Sequence, residues 1–335
     1  MKTKVFVNYI SHIPTRVYET LYGNGIIYGL KFPGTGTSTE ENNKFIKTAE
    51  SLKCDIDNHG WNGISGQLHD PHFADCIADF ENLEKYLNLP GAWNFSSHIG
   101  TMAKKLPSTV MCQEDFDEIL LENLSVIRKT IFQFTGKNPT ICGEGSFPLY
   151  FVPRTTVPNF INHTLKVSGL KDGLDGLVLD LCHSKIAAKF IETNTLKRNY
   201  SLYDYVNDLN LEVVKIIHVS GCGAQKNFHS QKNIDFYENK KLDPHVNSTV
   251  DELRTLRKVL KLCPNVEKVS NEIAYHKNYA IKLTTFDYVR EALLTWCAVQ
   301  SNISIEMAES IISSELTTEC SNSNIQKVFN HLKGS

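Results

Sequence analysis

Apolar and polar positions along the chain follow two alternating periods. Short apolar or β-branched runs recur at 4–10 (KVFVNYI), 25–32 (GIIYGLKF), 54–59 (CDIDNH), 93–99 (WNFSSHI), 139–144 (PTICGE), 176–183 (GLVLDLCH), 214–220 (VKIIHVS) and 266–273 (VEKVSNEI). These eight runs read as strands; the third is a poor strand by composition and is placed by its position in the series. Between them the period changes to that of a helix with one apolar face. Phe116, Leu120, Leu124, Ile127 and Ile131 recur at spacings of three and four, as do Phe73, Ile77, Phe80, Leu83 and Leu87. Strand-like runs alternating with helical ones predict the α/β class, as a (β/α)8 TIM barrel over residues 1–283. From 284 to 335 only helical patterns follow. Phe286, Val289, Leu293 and Trp296 mark a helix expected to close the barrel, and the rest to Leu332 reads as an appended helical segment. Partner docking and simple closure both fit that segment.

Charge narrows the function classes. Thirty-five Lys and Arg against 37 Asp and Glu give a formal charge of −2, with 41% apolar residues among 335. Those values exclude a disordered tail, a collagen-like fibre and a polybasic nucleic-acid binder. Nine cysteines, an odd number without CxxC spacing, read as reduced thiols and not as a disulfide framework or a zinc ribbon. The N-terminus reaches polar Asn8 after only three apolar residues, which is too short for the apolar stretch of a signal peptide. No uncharged apolar run approaches the roughly 18 residues of a membrane span. A cytoplasmic protein without membrane or nucleic-acid partners is the expectation.

Placing the ionisable residues on the strand map shows a regularity. Strands three to eight each end in a metal-capable side chain: His59, His98, Glu144, Asp180 with His183, His218, and Glu272. Asp243-Pro244-His245 follows strand seven. The C-terminal strand ends form the rim on which barrel active sites are built, so nine such residues converge there. Five imidazoles with four carboxylates are a mixed nitrogen and oxygen set suited to iron, zinc or manganese, and too many for one ion. Each residue alone has a plainer reading: Asp180 as the cap of the next helix, Glu144 in a turn between Gly143 and Gly145, Asp243-Pro244 as a turn. Recurrence at six successive strand ends outweighs these readings, because burying such groups unpaired costs several kcal/mol each. His12, His69, His72, His163, His229, His276 and His331 fall in loops or polar stretches and are read as structural, His229 and His276 being the likeliest exceptions by position. Gly34-Thr35-Gly36-Thr37 and Gly23-Asn24-Gly25 lack phosphate-loop spacing. Cys182 and Cys222 flank the rim residues, but Cys182 is read as alternating away from them on a strand.

The ordered set His59, His98, Glu144, Asp180-x-x-His183, His218, Asp243-x-His245 and Glu272 resembles the three-metal site of endonuclease IV-like barrels, within the broader xylose isomerase-like group. The flanking sequence resembles a sister family more strongly, the multinuclear non-haem iron-dependent oxidative enzymes of methanobactin-type peptide maturation. Residues 205–221 (YVNDLNLEVVKIIHVSG) are similar to that family's stretch ending in EIH.AG. Ser96-Ser97-His98-Ile99 is similar to its SxH strand, and 264–272 (PNVEKVSNE) to its last strand before a terminal Glu. The likeness is specific from His98 to Glu272. Two departures stand out: His183 where many members carry Asn, and Cys142-Gly143-Glu144-Gly145-Ser146 in place of Leu-Glu-Asn.

The resemblance implies two or three iron ions of mixed Fe(II)/Fe(III) valence, with O2 as co-substrate. His59, His98 and Glu144 would hold one ion. Glu144 would bridge to a second on Asp180, His218 and Glu272, and His183, Asp243 and His245 would hold a third. Glu144, Asp180, His218 and Glu272 are the implied catalytic residues. The implied substrate is a cysteine of a ribosomally made precursor peptide, oxidatively modified with the help of a small partner protein in a heterodimer. Two other readings of the chain remain open. A zinc-dependent endonuclease IV-like phosphodiesterase for damaged DNA would use the same nine ligands, although phosphate neutralisation favours a basic surface over a charge of −2. A non-catalytic binding protein built on the helices after Ser304 would hold no tight metal.

Overall fold

In the computed structural model, the residues described are 3–32, 38–60, 68–69, 73, 83–99, 113–145, 157–168, 173–194, 199–222, 245–273 and 283–335. The first half runs β1 (Lys4–Asn8), α1 (Thr15–Gly23), β2 (Gly29–Lys31), α2 (Thr39–Leu52), β3 (Asp55–Asp57), α3 (Leu83–Leu87), β4 (Phe95–Ile99), α4 (Gln113–Thr135) and β5 (Ile141–Gly145). The second half runs α5 (Val157–Ser168), β6 (Gly176–Asp180), α6 (Leu181–Asn194), α7 (Leu202–Asn207), β7 (Val214–Val219), α8 (Val250–Leu262), β8 (Lys268–Asn271), α9 (Thr285–Gln300), α10 (Ile305–Glu315) and α11 (Asn322–Gly334).

Seven of the eight strands fall inside their apolar runs, and β5 extends one residue past its run, to Gly145. The eight form one sheet in the order β3-β2-β1-β8-β7-β6-β5-β4, every neighbouring pair parallel. A parallel bridge between His59 and Ser96 joins the two outer strands, with the Ser96 N–H donating to the Asn58 carbonyl at 2.9 Å and the Gly60 N–H to the Ser96 carbonyl at 2.8 Å. The sheet therefore closes on itself, and the protein is a (β/α)8 barrel. Closure is also why the third run, poor in β-branched residues, still forms a strand: β3 gains ladder partners on both sides.

Helix starts follow local sequence. Ser38 with Glu41, Thr249 with Glu252 and Thr284 with Asp287 form reciprocal capping boxes at α2, α8 and α9. The apolar stripe of α4 buries Leu120, Leu124, Ile127 and Ile131 completely, as its spacing predicts. Of the stripe beginning at Phe73, the described members Phe73, Leu83 and Leu87 are buried, while Ile77 and Phe80 lie outside the described residues.

One boundary differs from the expectation. The run 176–183 was expected to be strand throughout, yet β6 ends at Asp180 and α6 begins at Leu181. The cause is local: Asp180 Oδ1 accepts the His183 N–H at 2.6 Å, satisfying a first-turn amide as a helix cap does. His183 thus stands on the first turn of a helix, and Cys182, on that same turn, points its Sγ to the Gly221 carbonyl at 3.9 Å. After β7, Gly221–Cys222 pairs antiparallel with His245–Val246.

Helix α9 packs on β1 and β8 and buries Ala292, Leu293, Leu294 and Trp296. The Trp296 ring meets Phe329 of α11 edge-on, 4.9 Å between centroids. Ile305 and Ile312 of α10 and Ile325 and Leu332 of α11 belong to the same continuous core as the barrel helices. None of the described helices is long and apolar enough to cross a membrane.

Candidate metal centre

The strand ladder delivers the rim residues in register. His98 and Glu144 are neighbours across β4 and β5, Asp180 and His218 across β6 and β7, and His218 and Ser270 across β7 and β8. Side chains at such positions point into a closed barrel at one level, so residues far apart in sequence meet. His59 stands two residues past β3, on the bridge to Ser96, and Glu272 one residue past β8.

Glu144 is the hub. It is fully buried, and four imidazoles surround its carboxylate. Oε1 lies 3.2 Å from His183 Nδ1 and 3.5 Å from His98 Nε2. Oε2 lies 2.8 Å from His218 Nδ1 and 3.4 Å from His59 Nε2. The plainer reading, Glu144 in a turn, is thereby replaced: the residue is inside a strand and faces imidazoles on both oxygens. The rings crowd one another, His59 lying 5.0 Å from His218 and 5.2 Å from His98, and His98 5.4 Å from His183, between centroids.

Among the described residues three overlapping donor groups result, each with candidate ligand atoms within 4.8 Å of one another: His59, His98 and Glu144; Glu144, Asp180, His218 and Glu272; and His59, His218 and Glu272. Asp180 carries two tasks. Its Oδ1 caps α6, and its buried Oδ2 has no hydrogen-bond partner among the described residues, which leaves a carboxylate oxygen available to a cation. His59 is oriented from behind. Ser96 Oγ gives its proton to the Asn58 carbonyl at 3.2 Å, so at 3.0 Å it accepts from His59 Nδ1–H, and the His59 Nε2 lone pair is left facing Glu144. Buried imidazole and carboxylate donors, one ring backed by a hydroxyl, fit a bound transition-metal ion. Asp243 lies outside the described residues, and His245 is described only through its backbone, paired with Cys222.

Two further residues enter the site that the sequence reading passed over. Lys31, at the end of β2 and 2% exposed, makes an ion pair with Glu272 Oε1, and its Nζ lies 3.3 and 3.4 Å from the two His218 nitrogens. Its register partner Asp57 ends β3, accepts a short hydrogen bond from Ser270 Oγ, and faces Lys268 Nζ at 3.5 Å and His218 Nε2 at 3.9 Å. The available signal was the same one used for the ligands, a charged residue at the end of an apolar run. A lysine is not a ligand type, and Asp57 was overshadowed by His59.

Histidines read as structural have ordinary partners where described. His12 bonds the Leu283 carbonyl, His163 pairs with Asp117 and His331 with Glu315. Burial, only partly offset by the charge of Asp117, lowers His69 to about 4. His72, His229 and His276 lie outside the described residues. Cys54, Cys142, Cys182, Cys263, Cys297 and Cys320 are buried, and burial pushes Cys142 and Cys297 up to about 12, so these two are inert thiols.

No family model matches the chain, and no curated protein matches it. Among solved structures it is similar to the D-psicose 3-epimerase of Clostridium cellulolyticum H10 with D-tagatose, with a TM-score of 0.46 and 9% identity over 99% of each chain. It is likewise similar to a D-psicose 3-epimerase determined in the presence of D-fructose, with a TM-score of 0.47 and 9% identity, covering 99% of this chain and 100% of that one. At this identity and score, neither likeness bears on the substrate of this chain.

Proposed function

We propose that the chain is a multinuclear iron enzyme that oxidatively modifies a cysteine of a ribosomally made precursor peptide, using O2 and a small partner protein. One observation carries the metal part of this reading: four imidazoles face the buried Glu144 carboxylate, which is shared by the His59, His98, Glu144 group and the Glu144, Asp180, His218, Glu272 group. His59, His98 and Glu144 would hold one ion, and Asp180, His218 and Glu272 would hold its neighbour across Glu144. Imidazole-rich sets select iron or zinc over magnesium or calcium. The choice of iron and of a cysteine substrate rests on the resemblance of 205–221, 96–99 and 264–272 to the iron-dependent oxidative enzymes. Bound iron would supply redox chemistry and oxygen activation.

The chain's own residues have definable tasks in this reading. Ser96 holds the His59 ring, and Asp180 is fixed by its bond to the His183 amide, so neither ligand must be ordered when the ion arrives. Glu144, Asp180 and His218 lie at the closed side of the site with no exposure, whereas the side chains of His59 and His98 are 12% and 23% exposed. A substrate side chain would therefore approach along strands β3 and β4. The deciding experiment is elemental analysis of the purified protein with an O2-uptake assay on a cysteine-containing peptide. At least two irons per chain and peptide-dependent uptake support the reading. A zinc-loaded protein that cuts abasic DNA and consumes no O2 overturns it.

A further inference from the structure

Helix α9 turns a row of buried polar side chains toward the end of β8. Tyr288, Glu291 and Thr295, at spacings of three and four, share one of its faces. Thr295 Oγ1 and Glu291 Oε2 accept from the Asn271 Nδ2 amide at 3.0 and 3.3 Å. Asn271 Oδ1 in turn accepts the Ile273 N–H at 3.2 Å, so the Asn271 side chain spans the backbone of Glu272, the candidate ligand between the two. Tyr288 completes the brace. Its hydroxyl donates to the Asn8 carbonyl at 2.6 Å, and Asn8 Nδ2 donates to the Ile273 carbonyl at 3.0 Å. Ser248, two residues past the short strand at 245–246, turns its backbone N–H to the same Glu291 carboxylate.

Glu291 is fully buried, and burial pushes it up to about 7 although Arg290 Nη1 lies 2.6 Å from its Oε1. Arg290 is itself held by Glu309 of α10, at 3.1 and 2.8 Å. A buried ion pair of this kind adds little net stability over an apolar side chain of similar volume, so packing alone does not account for an acid here. Its geometry does. Glu272 has to face two ways, with Oε1 paired to Lys31 and Oε2 3.4 Å from His218 Nδ1. A small rotation of the backbone at this point would carry Oε2 out of its donor group. We infer that Glu291 is a positioning residue for the metal centre: by holding Asn271 it fixes the backbone on either side of Glu272 and keeps that carboxylate turned to His218. The inference rests on the metal-centre reading above.

The test uses the full chain, stripped with a chelator and loaded with zinc, which has no redox chemistry. Zinc affinity is measured by competition against a chelator of known affinity, and the fold by circular dichroism. Glu291→Gln puts an amide donor where Asn271 needs an acceptor, and is expected to weaken zinc binding by about 10-fold. Asn271→Asp, which sets two carboxylates face to face, is expected to weaken it likewise. The double variant remakes the bond with donor and acceptor exchanged, and is expected to return the affinity to near the wild-type value. Val328→Ala, which opens a cavity on α11, is expected to lower the melting temperature and leave zinc affinity unchanged. A folded Glu291→Gln with wild-type affinity, a double variant no better than Glu291→Gln, or an equal loss in Val328→Ala overturns the inference while leaving the metal centre intact. Should Glu291→Gln fail to fold, wild-type affinity in Asn271→Asp overturns it instead. A wild type that binds no zinc removes the metal-centre reading and the inference with it.

Discussion

Glu144 Oε2 lies 2.8 Å from His218 Nδ1, although β6 separates the strands that carry them. Both side chains point into the barrel, whose inward curvature brings them together across the intervening strand. Glu144 belongs to two of the three donor groups among the described residues. Glu144→Gln keeps the shape but removes the charge that offsets the repulsion between ions. Bound metal is expected to fall from stoichiometric to below about a tenth, and the thermal stabilisation gained on adding metal to vanish. Elemental analysis and melting curves with and without metal check both. A glutamine variant with full metal content removes the bridging role.

Ser96 is not a ligand, yet the His59 ring depends on it. Ser96→Ala removes the acceptor for His59 Nδ1–H and leaves the backbone bridge in place. Metal affinity is expected to drop by about 10- to 100-fold with the fold unchanged, as for other groups that orient a ligand from behind. Competition against a chelator of known affinity measures it, and circular dichroism monitors the fold.

His69 sets a pH window for stability. Burial holds it neutral in the folded chain down to about 4, below its ordinary value of 6.5. Between those values the unfolded chain binds a proton that the folded one does not, so stability is lost as pH falls from 6.5 towards 4. Holding the ring neutral from 6.5 down to about 4 corresponds to at most roughly 3.4 kcal/mol. Urea midpoints of the metal-free wild type and His69→Gln, compared at pH 7.5 and 4.5, should differ in slope. Parallel behaviour of the two proteins would mean that His69 contributes nothing to acid lability.

Gly29 lies where β2 passes β3 too closely for a side chain. A Cβ there would overlap the Asp55 carbonyl oxygen and lie 2.5 Å from the Phe6 ring. Backbone on one side and a buried aromatic on the other leave no route for relaxation. Gly29→Ala should cost more than about 3 kcal/mol or prevent folding, because overpacking here also breaks strand register. The denaturation midpoint reports it. A variant as stable as the wild type would require β2 to pair differently.

The period of apolar residues determined the eight strands and most of the candidate ligand positions, because strand ends and helix stripes are local properties written every two or every three to four residues. His59, His98, Glu144, Asp180, His218 and Glu272 were legible for that reason. The first turn of α6 was less so: whether Asp180 continues a strand or caps a helix depends on one hydrogen bond to the His183 amide. Tertiary structure alone decided the rest. That Glu144 is a hub, that Ser96 orients His59, and that Lys31 and Asp57 enter the site follow from barrel closure, which turns alternate side chains of every strand inward at a common level. A lysine in an apolar run looks in sequence like a solvent-facing residue. Its burial at 2% exposure against Glu272 comes from a strand, β8, more than 200 residues away.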